Sequence, residues 1–251
     1  TVITEDIYSV QNTFENVQVD KSANFQREAG FAIQVLGANR YAMDTAMANR
    51  QSVVDAVVNV AAIGVSLNPA KKQAYLVPRD GKICLDISYM GLMDLAQATG
   101  SVRWAQAALV YAGDTFSLTG LDRPPQHSFN PFAKDRGELV GVYVTVKTSD
   151  GDYLTHTMTI ADVYEIRDRS MAWKKKQAGP WATDEGEMIK KTCVKQASKY
   201  WPRADRLDAA INHLNVDNEE GFEPIVQPDR GPVHSATGTP TVPADRKQII
   251  E

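Results

Sequence analysis

Apolar residues recur along this chain at three to four positions in some stretches and at two in others, which predicts a mixture of helices and strands. The first 20 residues show no clear period. From Asn24 to Arg50 an Ala-, Met- and Leu-rich composition favours helix, in one or two segments, with Gly30 and Gly37 as weak points. Ser52 reads as the N-cap of a helix carrying Val53, Val57, Val60, Gly64 and Leu67, ended by Asn68-Pro69. Two short apolar runs, Ala74 to Pro78 and Ile83 to Ile87, flank Asp80-Gly81 and predict a β-hairpin. Ser88 caps a helix bearing Leu92, Leu95 and Ala96, and Gly100 supplies the left-handed residue at its end.

Strands follow at Trp104 to Tyr111 and Thr115 to Leu118, then a Pro-rich loop from Leu121 to Lys134. A second hairpin joins Val140 to Lys147 with Tyr153 to Met158 across Ser149 to Asp152. Thr159 and Asp162 open a short helix that gives way to a loop from Asp168 to Trp181. A final helix runs from Thr183 or Asp184 to Trp201, stopped by Pro202, with Asp184 and Glu187 as a capping pair. Beyond about Val216, five prolines and little apolar surface predict a flexible tail. The fold class is α+β: a small antiparallel β-meander of hairpins packed with helices. Three regions are expected: a mostly helical segment at 1–50, a core at 51–206, and an acidic, Pro-rich tail at 207–251.

Composition narrows the class. With 251 residues and 43% hydrophobic content the chain can bury a full core. Its longest apolar stretch, Val53 to Leu67, is broken by Asp55, Asn59 and Gly64, so no membrane role is expected. Glu5 and Asp6 stand where an export signal would be basic and then apolar. Cys84 and Cys193 are too few and too far apart for a disulfide framework or a cysteine metal site, and a reducing cytoplasm fits them. The net charge of -4 hides a segregation. Residues 167–206 hold 11 Lys and Arg against 5 Asp and Glu, whereas 207–251 hold 3 against 8.

That basic segment carries the candidate chemistry. Lys191, Lys195 and Lys199 are spaced by four, with Lys190 beside them, so they form a cationic stripe on the final helix. Ile189, Cys193, Ala197 and Tyr200 would form its apolar face and leave the cations in solvent. Upstream, Arg167, Arg169, Lys174, Lys175 and Lys176 interleave with Trp173 and precede Trp181. Phosphates need spaced cations and unstacked bases need flat apolar faces, so loop and stripe would suit single-stranded DNA as two walls of a groove. The plainer reading makes Trp181 a core residue and the lysines a solvated face.

Gly179-Pro180-Trp181, Glu187-Met188, Lys190-Lys191-Thr192, Lys199-Tyr200 and Pro202 together resemble the signature of the RecT/Red-beta family of single-strand annealing proteins. A second block agrees in order: Gly64 with Leu67-Asn68-Pro69, Ala74 to Pro78, and Tyr89 with Gly91 to Ala96. The resemblance implies a core that assembles into rings or helical filaments and pairs complementary strands without ATP or another cofactor. It implies an exonuclease partner, and a host single-strand-binding protein as a further one. It carries DNA contact onto Lys190 and Lys191, more loosely onto Lys195 and Lys199, and onto Lys72, with Lys71 beside it. Family members often have a basic residue where this chain has Met90, so no contact is expected there.

No phosphate loop is readable, since Gly81-Lys82 is followed by Ile83 and Leu76 stands where the motif's first glycine belongs. His127, His156, His213 and His234 lack metal-ligand spacing. Two other functions remain open. One is a metal-dependent nuclease using some of Asp80, Asp86, Asp94 and Asp114 with Lys82; the other is a coat that protects single strands without pairing them.

Overall fold

A computed structural model describes residues 1–169, 173–174 and 179–217. Five helices come first: α1 (Val2–Ser9), α2 (Gln11–Val17), α3 (Phe25–Ala38), α4 (Arg40–Ala48) and α5 (Arg50–Ile63). The opening segment, patternless as sequence, buries Ile3, Ile7 and Phe14 against the same core as α5. Single asparagines make the corners between α3, α4 and α5. Asn39 ends α3 and starts α4, its side chain accepting from Ala42 N at 3.1 Å; Asn49 ends α4 and starts α5, accepting from Ser52 N at 3.2 Å. Ser52 is therefore not the cap. It lies inside α5, and its buried hydroxyl accepts from Ile83 N at 2.9 Å, tying the helix to the next hairpin. The helix stops at Gly64, whose φ of 81° is the left-handed conformation glycine adopts without penalty, rather than at Asn68-Pro69.

Strands β1 (Ala74–Arg79) and β2 (Lys82–Ile87) pair antiparallel around Asp80 and Gly81, both at positive φ (48° and 74°), the backbone that a two-residue hairpin turn requires. Leu76, Ile83, Leu85 and Ile87 face the core, while Tyr75 lies opposite Asp86 on the alternate face. Ser88 caps α6 (Tyr89–Ala98), accepting from Gly91 N at 2.9 Å. Gly91 is required there, because an added Cβ would stand 2.2 Å from Gln73 O.

The main sheet has the order β3-β6-β7, from β3 (Val102–Tyr111), β6 (Leu139–Thr148) and β7 (Tyr153–Thr159). Between β3 and β6, the expected strand β4 (Thr115–Ser117) pairs with β5 (Gln126–Ser128), which lies within the loop expected to be irregular, to form a small hairpin. It is anchored by Asp114, whose fully buried carboxylate accepts from Arg136 Nε at 2.8 Å, His127 Nε2 at 3.0 Å and Tyr111 N at 2.9 Å. Chiefly through Arg136, these partners hold the Asp114 carboxyl well below the usual carboxylate range. Arg136 in turn lies 3.7 Å from the centre of the Phe129 ring.

After β7, Thr159 and Asp162 cap each other reciprocally at the start of α7 (Ile160–Arg169), as expected, though α7 extends to Arg169. Then come α8 (Pro180–Thr183), α9 (Glu185–Ser198) and α10 (Asp205–Asp217). The last was expected as the beginning of the tail. Its Leu207 and Ala210 are instead buried in the common core, and α10 contacts α5, α6 and β2. The remainder of the expected tail, from 218, lies outside the described residues.

Candidate nucleic-acid interface

Helix α9 positions the interface. Ile189, Cys193 and Ala197 are buried as expected, and the helix packs on all three strands of the main sheet as well as on α6 and α7. That burial is wider than the four-residue repeat implies, because Thr192, Val194, Lys195 and Ser198 are enclosed too. The expectation of a stripe held out to solvent is thereby corrected. Lys195 is only 6% exposed, and packing on several sides leaves it no open face. Lys199 is half-buried, its Nζ donating to Gln196 Oε1 at 3.1 Å, and the loss of water around it lowers its pKa. The apolar face also ends differently: Tyr200 is 75% exposed and stacked on His156, while Trp201 takes the buried position.

Lys190 and Lys191 stand at the edge of this helix facing the first hairpin and α6. Lys190 Nζ donates to Glu187 Oε1 at 2.9 Å, and Lys191 Nζ lies 3.3 Å from Asp86 Oδ2. Glu187 does not cap α9 with Asp184 as expected; among the described residues no side-chain hydrogen bond caps that end. Its other oxygen accepts from Tyr89 OH at 2.6 Å, a contact across 98 positions that local pattern cannot reveal. Lys190 and Tyr89 together lower the Glu187 pKa, and burial with the Glu187 contact pushes the Tyr89 phenol well above its ordinary value. Lys72, exposed at a positive φ of 52°, adds its field to Glu187. Lys72, Lys190 and Lys191 thus share one patch with the half-exposed Tyr75 and Tyr89. Neither tyrosine nor Asp86 was anticipated as part of a DNA surface, although Tyr89 and Glu187 both fall in the recognisable motifs.

Lys71 points elsewhere, into a small cavity shared with Asp20, Arg27, Glu28 and Arg206. The other predicted wall lies across the first turn of α9. Tyr164 OH donates to Glu185 Oε1 at 2.8 Å, and the Arg167 guanidinium sits 4.0 Å from the Tyr164 ring centre and 4.7 Å from that of Trp173. Glu185 and Glu187 are two residues apart, about 200° around a helix, so this cluster and the lysine patch flank α9 on opposite sides. Arg169 and Lys174 are exposed, and Trp181 is half-buried, packed against the core without entering it. Lys175 and Lys176 lie outside the described residues. On the far face of the main sheet, Trp104, Lys147 and Tyr153 form one cross-strand row, with Lys147 Nζ 5.1 Å from the Tyr153 ring centre. Sequence reading assigned those three to strands without marking them as a surface.

The four carboxylates considered for a nuclease are dispersed among local partners. Asp80 forms the hairpin turn, Asp86 pairs with Lys191, Asp94 accepts from Gln73 Nε2 at 3.0 Å, and Asp114 is held by Arg136. Among the described residues no group of three or more His, Cys, Asp or Glu is placed to hold a metal ion, and no helix is long and apolar enough to cross a membrane.

Comparison with known proteins agrees with the motifs. Residues 24–227 match the RecT family, a span that includes both motif blocks and extends beyond them at each end. Protein RecT of Escherichia coli strain K12 is 31% identical over 170 residues, an alignment covering 64% of this chain and 61% of that protein. The chain thus spans about three-fifths of the length of this curated relative.

Proposed function

The chain belongs to the RecT family, and on that premise we propose that it binds single-stranded DNA and anneals complementary strands without ATP during recombination. The observation that carries this reading is the patch of Lys72, Lys190 and Lys191 beside Tyr75 and Tyr89, in which Lys190 and Lys191 are carried by a helix packed on the main sheet, α6 and α7. Lysines there neutralise phosphates, and neighbouring rings offer faces to bases. Pairing itself is then done by the DNA, so the protein needs no sequence preference and no bond-breaking chemistry. Long strands call for many such patches in register, which makes a homo-oligomer, ring or filament, the working form. An exonuclease that exposes single strands is the natural supplier of substrate, a host single-strand-binding protein a further partner, and the cytoplasm the place of action.

The test mixes labelled complementary strands with the protein, with magnesium and without nucleotide. New duplex of unchanged strand length supports annealing. Shortened strands would favour a nuclease, and bound strands that never pair would favour a protective coat.

A further inference from the structure

The two lysines best placed for DNA already have anionic partners. Glu187 lies 2.9 Å from Lys190 Nζ and Asp86 lies 3.3 Å from Lys191 Nζ. The Lys191 and Asp86 side chains are each 15% exposed; the Lys190–Glu187 pair is more open, at 25% and 51%, but Tyr89 OH holds the second oxygen of Glu187 at 2.6 Å. A phosphate approaching either ammonium must share it with a carboxylate or displace that carboxylate. Like charges brought together oppose binding, so these two acids weaken a surface whose cations favour it. Asparagine and glutamine would have filled the same volumes without that penalty.

Resting on the annealing reading, we infer that Glu187 and Asp86 are built-in competing anions. They hold Lys190 and Lys191 in place in the free protein and keep a strand bound loosely enough to shift register and to leave as duplex. Annealing requires this compromise. A strand held too tightly cannot slide to find its complement, and a duplex held too tightly blocks the next cycle. Lys72 sharpens the balance at Glu187, because it brings a second cation to the same carboxylate.

The test compares the full chain with its Glu187→Gln and Asp86→Asn variants, using Asp44→Asn as a control for the same change in net charge. Asp44 lies on α4, in an exposed pair with Arg40. The probe is a fluorescein-labelled oligo-dT strand titrated at several salt concentrations, followed by release of a preannealed duplex on dilution. Glutamine keeps an acceptor for Tyr89 OH, so the Glu187 variant should melt close to the parent. Each site variant should bind about 1.5- to 5-fold more tightly, the worth of one partly exposed ion pair. Each lysine relieved of its carboxylate neighbour should steepen the slope of log affinity against log salt by up to about 0.7. Duplex release should slow, and the control should show none of these changes. Equal or weaker binding by both site variants, or an equal gain in the control, would overturn the inference. Salt-independent or absent binding by the parent chain is a separate result, which would overturn the annealing reading beneath it.

Discussion

Replacing Lys72, Lys190 and Lys191 together by alanine should remove most of the phosphate contacts that this patch can make, while Lys195→Ala should remove none. The distinction comes from burial. Lys190 retains 25% and Lys191 15% side-chain exposure, whereas Lys195 as a residue is 6% exposed within a helix packed on the main sheet. For single strands each lost contact lowers the slope of log affinity against log salt by about 0.7, so the triple variant should flatten it by about 2. Between 50 mM and 200 mM salt that difference corresponds to about a 20-fold smaller loss of affinity for the variant than for the parent. Alanine sustains helix at both α9 positions, so the triple variant should remain folded. Lys195→Ala should act the other way, shifting the thermal midpoint and leaving the slope per folded molecule unchanged. Fluorescence anisotropy at four salt concentrations, with a melt on the same preparation, measures both quantities. A native-like triple variant with an unchanged slope would refute the assignment of this patch, and an equal loss of slope in Lys195→Ala would refute the reasoning from burial.

Arg136→Met should lower the denaturant midpoint by leaving the buried Asp114 carboxylate without its main partner. Because the folded pKa of Asp114 is depressed, its stabilisation is complete above the ordinary value of 3.8 and lost as pH falls below it, so the same variant should flatten the acid limb of the stability curve. His156, its Nε2 buried without a hydrogen-bond partner among the described residues, is held below the ordinary 6.5 by burial and by Lys199; its contribution is present above that pH and lost as pH falls toward the folded value. His156→Gln should therefore lessen the fall in melting temperature below pH 6.5, and an unchanged pH profile would sink that reading. Burial pushes the Cys193 thiol up to about 12, so iodoacetamide at pH 8 should leave it unlabelled until the protein is unfolded, as mass spectrometry can show.

Features set by neighbours in sequence were readable from the chain. Asp80-Gly81 dictates its own backbone, and Ser88 and Thr159 cap the helices they precede. Reading faltered where two local signals competed or where the partner was remote. Ser52 and Asn49 are both competent caps, and only the contact with Ile83 shows that the serine is needed inside the helix. Glu187 suits a capping position by composition, yet Tyr89 and Lys190 hold it. Tyr200 and Trp201 are adjacent, and the packing around the end of α9 selects the tryptophan for the interior. The lysine stripe was visible as spacing, but spacing carries no information about how many sides of a helix other elements cover. Helix α10 was obscured by the acidic, Pro-rich composition that follows it, although Leu207 and Ala210 lie three apart on one side.

The asparagine corners between α3, α4 and α5 have a mechanical consequence. A corner of one residue contains no slack, so a torque applied to α5 is delivered to α3 instead of being absorbed by a linker. The far end of the path is closed as well. Glu28 of α3 accepts from Ser66 Oγ and Leu67 N, both at 2.7 Å, just beyond the end of α5 and upstream of Lys72. Helices and loop therefore form a closed frame, braced at the two corners and latched by one buried carboxylate. If the lysine patch holds a strand as proposed, a pull on it would load that frame as a unit, as a bracket carries a shelf, so lengthening either corner by a residue should weaken strand binding without touching a single lysine.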